Sequence, residues 1–350
     1  MNYMSNQTRK RRKKYKGLKI FLGILILLLL IIAIYLYIQY RKIPKADTSD
    51  FDTDVVTAEL PEEEEKIMDK GYINIALFGV DSRKDEIKSH TRSDSIIIIS
   101  INKKTKDVNM ISVYRDTVMY TDEKHGYDKA THAYAYGGPE LSVSMLNRTL
   151  DLNITDFVTV NFNSLALIVD ALGGVEIDVA ENEVEPLNKF GEQVAEFIGT
   201  EYTPIKKAGT QVLNGEQAVG YCRIRSTAGG DFTRASRQRT VLAKLFDQVK
   251  STNPITLVKL AEDLFPYVYT SMGLADVLAL IPGLPSYSLA SSEGFPFDAS
   301  SGRLGKASVV YANPNLYQNV IELHEKLFGT EDYTPSTRVE NYSKEINSYR

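Results

Sequence analysis

Two hydrophobic patterns divide the chain. Residues 20–38 form an apolar run without a single charge, long enough to cross about 30 Å of hydrocarbon as a helix. From Gly71 the pattern changes to shorter runs, YINIALFGVD, DSIIIISIN and VNMISVYRD, rich in β-branched and aromatic residues. These read as strands, and their near-continuous hydrophobicity predicts a sheet covered on both faces. Helical patterns follow at 139–151, 163–172, 232–250, 274–281 and 314–328. The expected fold class is α/β (α+β): a central, mostly antiparallel or mixed β-sheet covered by helices, preceded by one N-terminal transmembrane helix.

Charge gives this plan an orientation. Eight basic residues precede the apolar run (Arg9, Lys10, Arg11, Arg12, Lys13, Lys14, Lys16, Lys19) and three follow it (Arg41, Lys42, Lys45). The positive-inside rule then places the amino terminus in the cytoplasm and the body outside. The run continues into QYRKIPK rather than a small-residue cleavage site, so it reads as an uncleaved, single-pass anchor in the cell membrane. The expected organisation is a basic cytoplasmic tail at 1–19, a transmembrane helix at 20–40 and an acidic extracellular linker at 41–70 containing PEEEEK. An extracellular catalytic domain at 71–330 follows, then a C-terminal tail at 331–350 without periodicity. Residues 47–350 carry 30 basic against 45 acidic side chains, which argues against nucleic acid as a partner.

The strand pattern brings chemistry together. The short NKKTKD connection predicts a hairpin between the second and third strands. If the first two strands are also antiparallel neighbours, Asp81, Asp94 and Arg115 converge at one end of the sheet, with Arg83 and Arg92 on the intervening loop. Carboxylates beside arginines suit an anionic group bridged by a metal. Cys222 is the lone cysteine and the four histidines lack metal-ligand spacing, so a hard cation on carboxylates is favoured over zinc.

A second cluster lies in GYCRIRSTAGGDFTRASRQR. Asp231 follows two glycines and reads as an N-cap of the next helix. Ala235, Gln238, Leu242, Leu245 and Val249 form a stripe on that helix, one turn beyond Arg234. Gln238 interrupts the apolar seam and needs a partner, either a ligand oxygen or a backbone carbonyl. Arg223 and Arg225 share a face if the segment is extended, the conformation expected from Cys222 onward, with Cys222 and Ile224 turned into the core. Paired guanidiniums suit phosphate oxygens. GxSxG, P-loop and GxGxxG motifs are absent from the sequence, which argues against covalent serine catalysis and nucleotide folds. GGPE at 137–140 and GGVEIDV at 173–179 read as a loop-to-helix turn and a helix end leading into a strand.

GVDSR, RSDSIIIISINKKTKDVNMISVYRD, KATHAYAYGG, VDALGGVEIDV, LNGEQAVGYCRIRS and GDFTRASRQR occur in an order and spacing that resemble the LytR-CpsA-Psr family of cell-wall glycopolymer transferases. The resemblance spans about residues 71–330. It implies transfer of a polymer, such as wall teichoic acid or capsule polysaccharide, from undecaprenyl pyrophosphate to peptidoglycan. It also implies magnesium, with manganese as an alternative, held by Asp81 and Asp94. By the same resemblance Arg92, Arg115, Arg223, Arg225, Arg234 and Gln238 form the pyrophosphate-binding set, Lys129 matches a basic position near the head group, and Asp231 orients the arginines. Arg83 joins the set through its place on the loop, and Asp94 and Arg115 are the expected catalytic residues, Asp94 as acceptor of the hydroxyl proton. Hydrolysis of a polyprenyl pyrophosphate and non-enzymatic regulation of the cell envelope are the competing expectations.

Overall fold

The structure, a computed structural model, describes residues 71–350 apart from 83–86 and 89. The expected basic tail, transmembrane helix and linker, and Arg83, lie outside the described residues. Among the described residues no helix is long and apolar enough to cross a membrane.

In chain order the first half contains β1 (Tyr72–Val80), β2 (Ser93–Asn102), β3 (Asp107–Val113), β4 (Val118–Tyr120), β5 (Tyr127–Lys129), α1 (Ala130–Leu150), β6 (Asp156–Val160), α2 (Phe162–Ala171) and β7 (Val175–Val179). There follow α3 (Glu181–Ile198), β8 (Gly209–Leu213), α4 (Gly215–Arg223), α5 (Gly230–Ser251), α6 (Pro254–Leu264), β9 (Tyr269–Thr270) and α7 (Leu274–Leu280). The chain closes with β10 (Ser288–Phe295), β11 (Ala299–Leu304), β12 (Ala307–Ala312), α8 (Leu316–Phe328) and α9 (Thr337–Ser348).

The main sheet is mixed, in the order β10-β3-β2-β1-β6-β9. Strand β2 runs antiparallel to both β1 and β3, the latter pair as the short connection predicts, whereas β6 joins β1 and β10 joins β3 in parallel. Alternation along the strands assigns the two faces different tasks. Ala76, Phe78, Ile96, Ile98, Ile111 and Val113 turn to one side and pack with Tyr134, Met145 and Leu146 of α1 and Val320 and Leu323 of α8. Burying each of these larger side chains contributes about 1.5–3 kcal/mol. Leu77, Gly79, Ser95 and Ile97 turn to the other side, beneath α2, α4 and α5.

Several elements depart from the sequence expectations. Helix α1 begins at Ala130, so ATHAYA is helical, and Gly137 and Gly138 interrupt the helix instead of preceding it. Helices α3, α4 and α6 have no counterpart among the predicted helices. The C-terminal segment is not a loose tail: α9 buries Val339, Ser343 and Ile346. It is pinned through the fully buried Asp151, which accepts hydrogen bonds from the Tyr333 hydroxyl, the Ser336 N–H and hydroxyl, and Arg338. A helix with three buried positions, one of them a serine, leaves little hydrophobic periodicity to read.

Candidate functional site

The site is assembled at the end of the sheet where β1 and β3 finish and β2 begins. Beyond β3 the chain turns at Tyr114–Thr117, held by the Thr117 N–H on the Tyr114 carbonyl, and the Thr131 N–H of α1 donates to the Arg115 carbonyl. This fastens Arg115 and Asp116 to the start of α1, where Lys129 Nζ reaches Asp116 Oδ1 at 2.9 Å.

From the other side come α4 and α5. An Asn214 cap starts α4: its side chain accepts from the Gln217 N–H, and Gln217 Oε1 accepts from the Asn214 N–H. Gly220 lets α4 lie against α3, because a Cβ there would come within 2.7 Å of the Leu187 carbonyl oxygen and the Gly191 nitrogen. Arg223 closes α4 with its guanidinium over the rings of Phe162 and Phe190, 4.6 and 5.2 Å from their centroids. The chain is therefore helical through Arg223 and extended only from Ile224, two residues later than the expected start at Cys222. The helix runs on because α4 packs against α3 and α5, a tertiary term absent from the local pattern.

Asp94 is the hub. Its Oδ1 accepts from Arg115 Nη1 at 2.7 Å, and its Oδ2 accepts from Arg225 Nη2 at 2.9 Å and Arg234 Nη1 at 3.4 Å. Arg234, only 3% exposed, also donates to the Asp94 carbonyl at 3.1 Å. Asp231 braces the same arginines through Oδ1, 2.9 Å from Arg234 Nη2, 3.6 Å from Arg115 Nε and 4.0 Å from Arg225 Nε. It is not the cap of α5: Gly229 occupies that position with positive φ, and Asp231 stands in the first turn. Burial holds its carboxyl above the ordinary value, against the opposing pull of Arg115 and Arg225.

The structure thus joins Asp94, Arg115, Arg225, Asp231 and Arg234, with Lys129 beside them through Asp116. Asp81, Arg223 and Gln238 line the mouth of the adjoining cavity. The Gln238 amide takes no partner among the described residues, so of its two expected partners the backbone carbonyl is not the one used. Arg92 is exposed and outside the ion-pair cluster. The residue that sequence reasoning missed is Arg237, which joins Glu183 of α3 (Nε to Oε1, 2.7 Å), the Ile224 carbonyl and the Thr227 hydroxyl. It fixes the loop that carries Arg225; its partners are remote in sequence, and nothing in RASRQR distinguishes it from its neighbours.

Behind this mouth a cavity of about 420 Å³ extends between the sheet and α2, α4 and α5. Its walls are apolar: Ile97 and Val158 from the sheet, Leu165 and Ile168 from α2, Val219 from α4, and Val241, Leu242 and Leu245 from α5. Such a space is built for an occupant with an apolar body and an anionic end.

A divalent cation that shares its ligands with a phosphate would find Asp81 available, whereas both Asp94 oxygens already accept from guanidiniums. No group of three or more His, Cys, Asp or Glu side chains converges among the described residues, so no all-protein cage is present there. Magnesium is commonly held by one or two carboxylates and substrate phosphates instead. The exposed Asp81 carboxylate has no partner among the described residues, and Asp94 lies beside it at the cavity mouth.

The sequence profile of the LytR_cpsA_psr family matches residues 32–312. The chain belongs to the LytR-CpsA-Psr family. It is 28% identical over 292 residues to the polyisoprenyl-teichoic acid–peptidoglycan teichoic acid transferase TagT of Bacillus subtilis (strain 168), covering 82% of this chain and 87% of the relative. TagV of the same organism, a transferase of the same description, is 29% identical over 250 residues, covering 70% of this chain and 61% of the relative. Among solved structures, "TagT bound to LIIa-WTA" is similar with a TM-score of 0.59 at 27% identity, over 75% of this chain and 92% of that one. The TagT structure "with bound octaprenyl pyrophosphate lipid" is similar with a TM-score of 0.55 at 26% identity and the same coverage.

Proposed function

We propose that this chain is a membrane-anchored phosphotransferase that moves an anionic glycopolymer from undecaprenyl pyrophosphate to peptidoglycan outside the cell. The observation that carries the reading is the joining of an apolar cavity to a mouth of arginines. A polyprenyl chain fits the first, and a pyrophosphate fits the second. Relatives named as teichoic acid transferases, one of them described with a polyprenyl pyrophosphate lipid, support the same assignment. The apolar run at 20–38 and its basic flanks support a single-pass anchor with the catalytic domain outside. Wall teichoic acid, capsule or a similar polysaccharide are the polymers this chemistry accommodates.

In the proposed reaction a peptidoglycan sugar hydroxyl attacks the phosphorus that bears the glycan. A new P–O bond forms, the bridging P–O bond breaks, and its electron pair leaves with polyprenyl phosphate. Arg115, Arg225 and Arg234 donate to phosphate oxygens as their charge shifts, and Lys129 extends the cationic side. Bound magnesium, at Asp81 and Asp94, would neutralise further phosphate charge. Asp94 already accepts from three guanidiniums, so its role is to position them. Proton acceptance, expected of Asp94 from the sequence, suits Asp231 better, because burial raises its affinity for a proton.

The test is a transfer assay with the full-length chain, a labelled lipid-linked glycan, magnesium and peptidoglycan. Label is expected in the polymer. Label released only as free glycan phosphate would instead make the protein a polyprenyl-pyrophosphate hydrolase, and no turnover of the donor would return it to a regulatory role.

A further inference from the structure

Helix α1 leads away from the cluster with a second set of side chains that the phosphoryl chemistry leaves unused. His132 and Tyr136 are four residues apart, so they share one face of the helix. At 1.5 Å per residue that face runs about 9 Å from the first residue of α1 to Tyr136. At its far end Tyr136 is 45% exposed.

This exposed ring is held firmly. Its hydroxyl donates to Asp128 Oδ2 at 2.7 Å, and the same oxygen lies 2.8 Å from His132 Nδ1. His125 stacks on the ring with centroids 4.1 Å apart and planes 4° from parallel, and is itself anchored to Asp122 through Nδ1 and its backbone N–H. One face of Tyr136 is thus covered by an imidazole. An aromatic needed only for packing gains nothing from remaining nearly half exposed while two histidines and two carboxylates fix its position.

A pyranose has an apolar C–H face and a rim of hydroxyls. A rigid aromatic face rimmed by carboxylate and imidazole groups complements both. We propose that Tyr136, with Asp128 and His132 at its rim, is a subsite for one hexopyranose ring next to the phosphoryl-transfer site. The proposal rests on the glycan-transferase reading and adds a binding element to it. The ring could belong to the donor glycan or to the peptidoglycan acceptor, and both offer the same chemistry.

The test measures transfer by the full-length chain in detergent, varying donor and acceptor separately. Tyr136→Ala is expected to raise one KM about tenfold while kcat stays within about twofold, and Tyr136→Trp, which keeps a stacking face, to remain near wild type. A rise in donor KM assigns the subsite to the donor sugar, and a rise in acceptor KM assigns it to peptidoglycan. Unchanged KM values, or equal damage from Tyr136→Trp, would overturn the proposal. Tyr136→Phe retains the ring and keeps the question open to measurement if the alanine variant fails to fold; a KM change of at most threefold is expected, and a larger rise would contradict stacking as the main contact. Saturation-transfer NMR on the full chain separates this idea from the proposed function, since it needs no turnover. The probes are the N-acetylglucosamine–N-acetylmuramic acid disaccharide and the delipidated donor glycan. One of them should receive saturation from wild type and lose it in Tyr136→Ala; no saturation from either, or no loss in the variant, would overturn the subsite.

Discussion

The two faces of the central sheet are built from the same residue types and serve opposite ends. In the IIII run of β2, Ile96 and Ile98 point into a filled core with Phe78 and Ile111, whereas Ile97 points into the cavity. The filled face is closed by apolar helices packed directly on it. The roof over the other face is held off the sheet and pinned by polar groups, among them the Arg237–Glu183 pair and the capped start of α4. Stability is concentrated on one side of a single strand, and room for a ligand is kept on the other.

The comparison can be broken first at its polar pin. Arg237→Ala leaves Glu183 buried without its partner, and a loss of about 3–5 kcal/mol is expected in chemical denaturation. Arg237→Lys should recover part of the stability yet still lower kcat, because the Ile224 carbonyl and Thr227 contacts position Arg225.

Truncation of neighbouring isoleucines sharpens the contrast. Ile98→Ala is expected to cost about 2–5 kcal/mol, the usual range for a filled core. Ile97→Ala enlarges a space that already exists and should cost less than half as much. Equal losses from urea melts of the two variants would mean that both faces are packed alike.

A third effect belongs to the filled side alone. His324 is fully buried, stacked on Tyr333, and burial pushes its imidazole down to about 4. The unfolded chain takes up this proton near pH 6.5, so between there and pH 4 it binds more protons than the native state, and stability falls as pH falls. The fall amounts to about 3 kcal/mol. Thermal melts across this window should show the slope, and His324→Gln should flatten it.

The sequence made the sheet end legible because alternation and one short hairpin suffice to bring Asp81, Asp94 and Arg115 to the same edge. Arg225 and Arg234 were visible as residues, but their meeting with Asp94 depends on a crossover of more than a hundred residues, which local patterns do not encode. The conformation around Arg223 was misread for the same reason, since packing of α4 on α3 extends the helix to that residue. The cavity was invisible: Ile97 and Ile98 differ only in which face they occupy, and hydrophobicity does not distinguish a wall from a core. Helix α9 escaped because it buries only Val339, Ser343 and Ile346, too short an apolar stripe to stand out in a polar segment.

The most direct measurement of the central claim is binding of polyprenyl pyrophosphate to the full-length chain and to Ile97→Trp, which fills the cavity from its floor. The expected result is at least about tenfold weaker binding by the variant with little change in its melting midpoint, while Ile98→Trp, forced into the filled core, loses about 1–3 kcal/mol of stability. Undiminished binding of the lipid by a folded Ile97→Trp protein would contradict the assignment of this cavity to the polyprenyl chain.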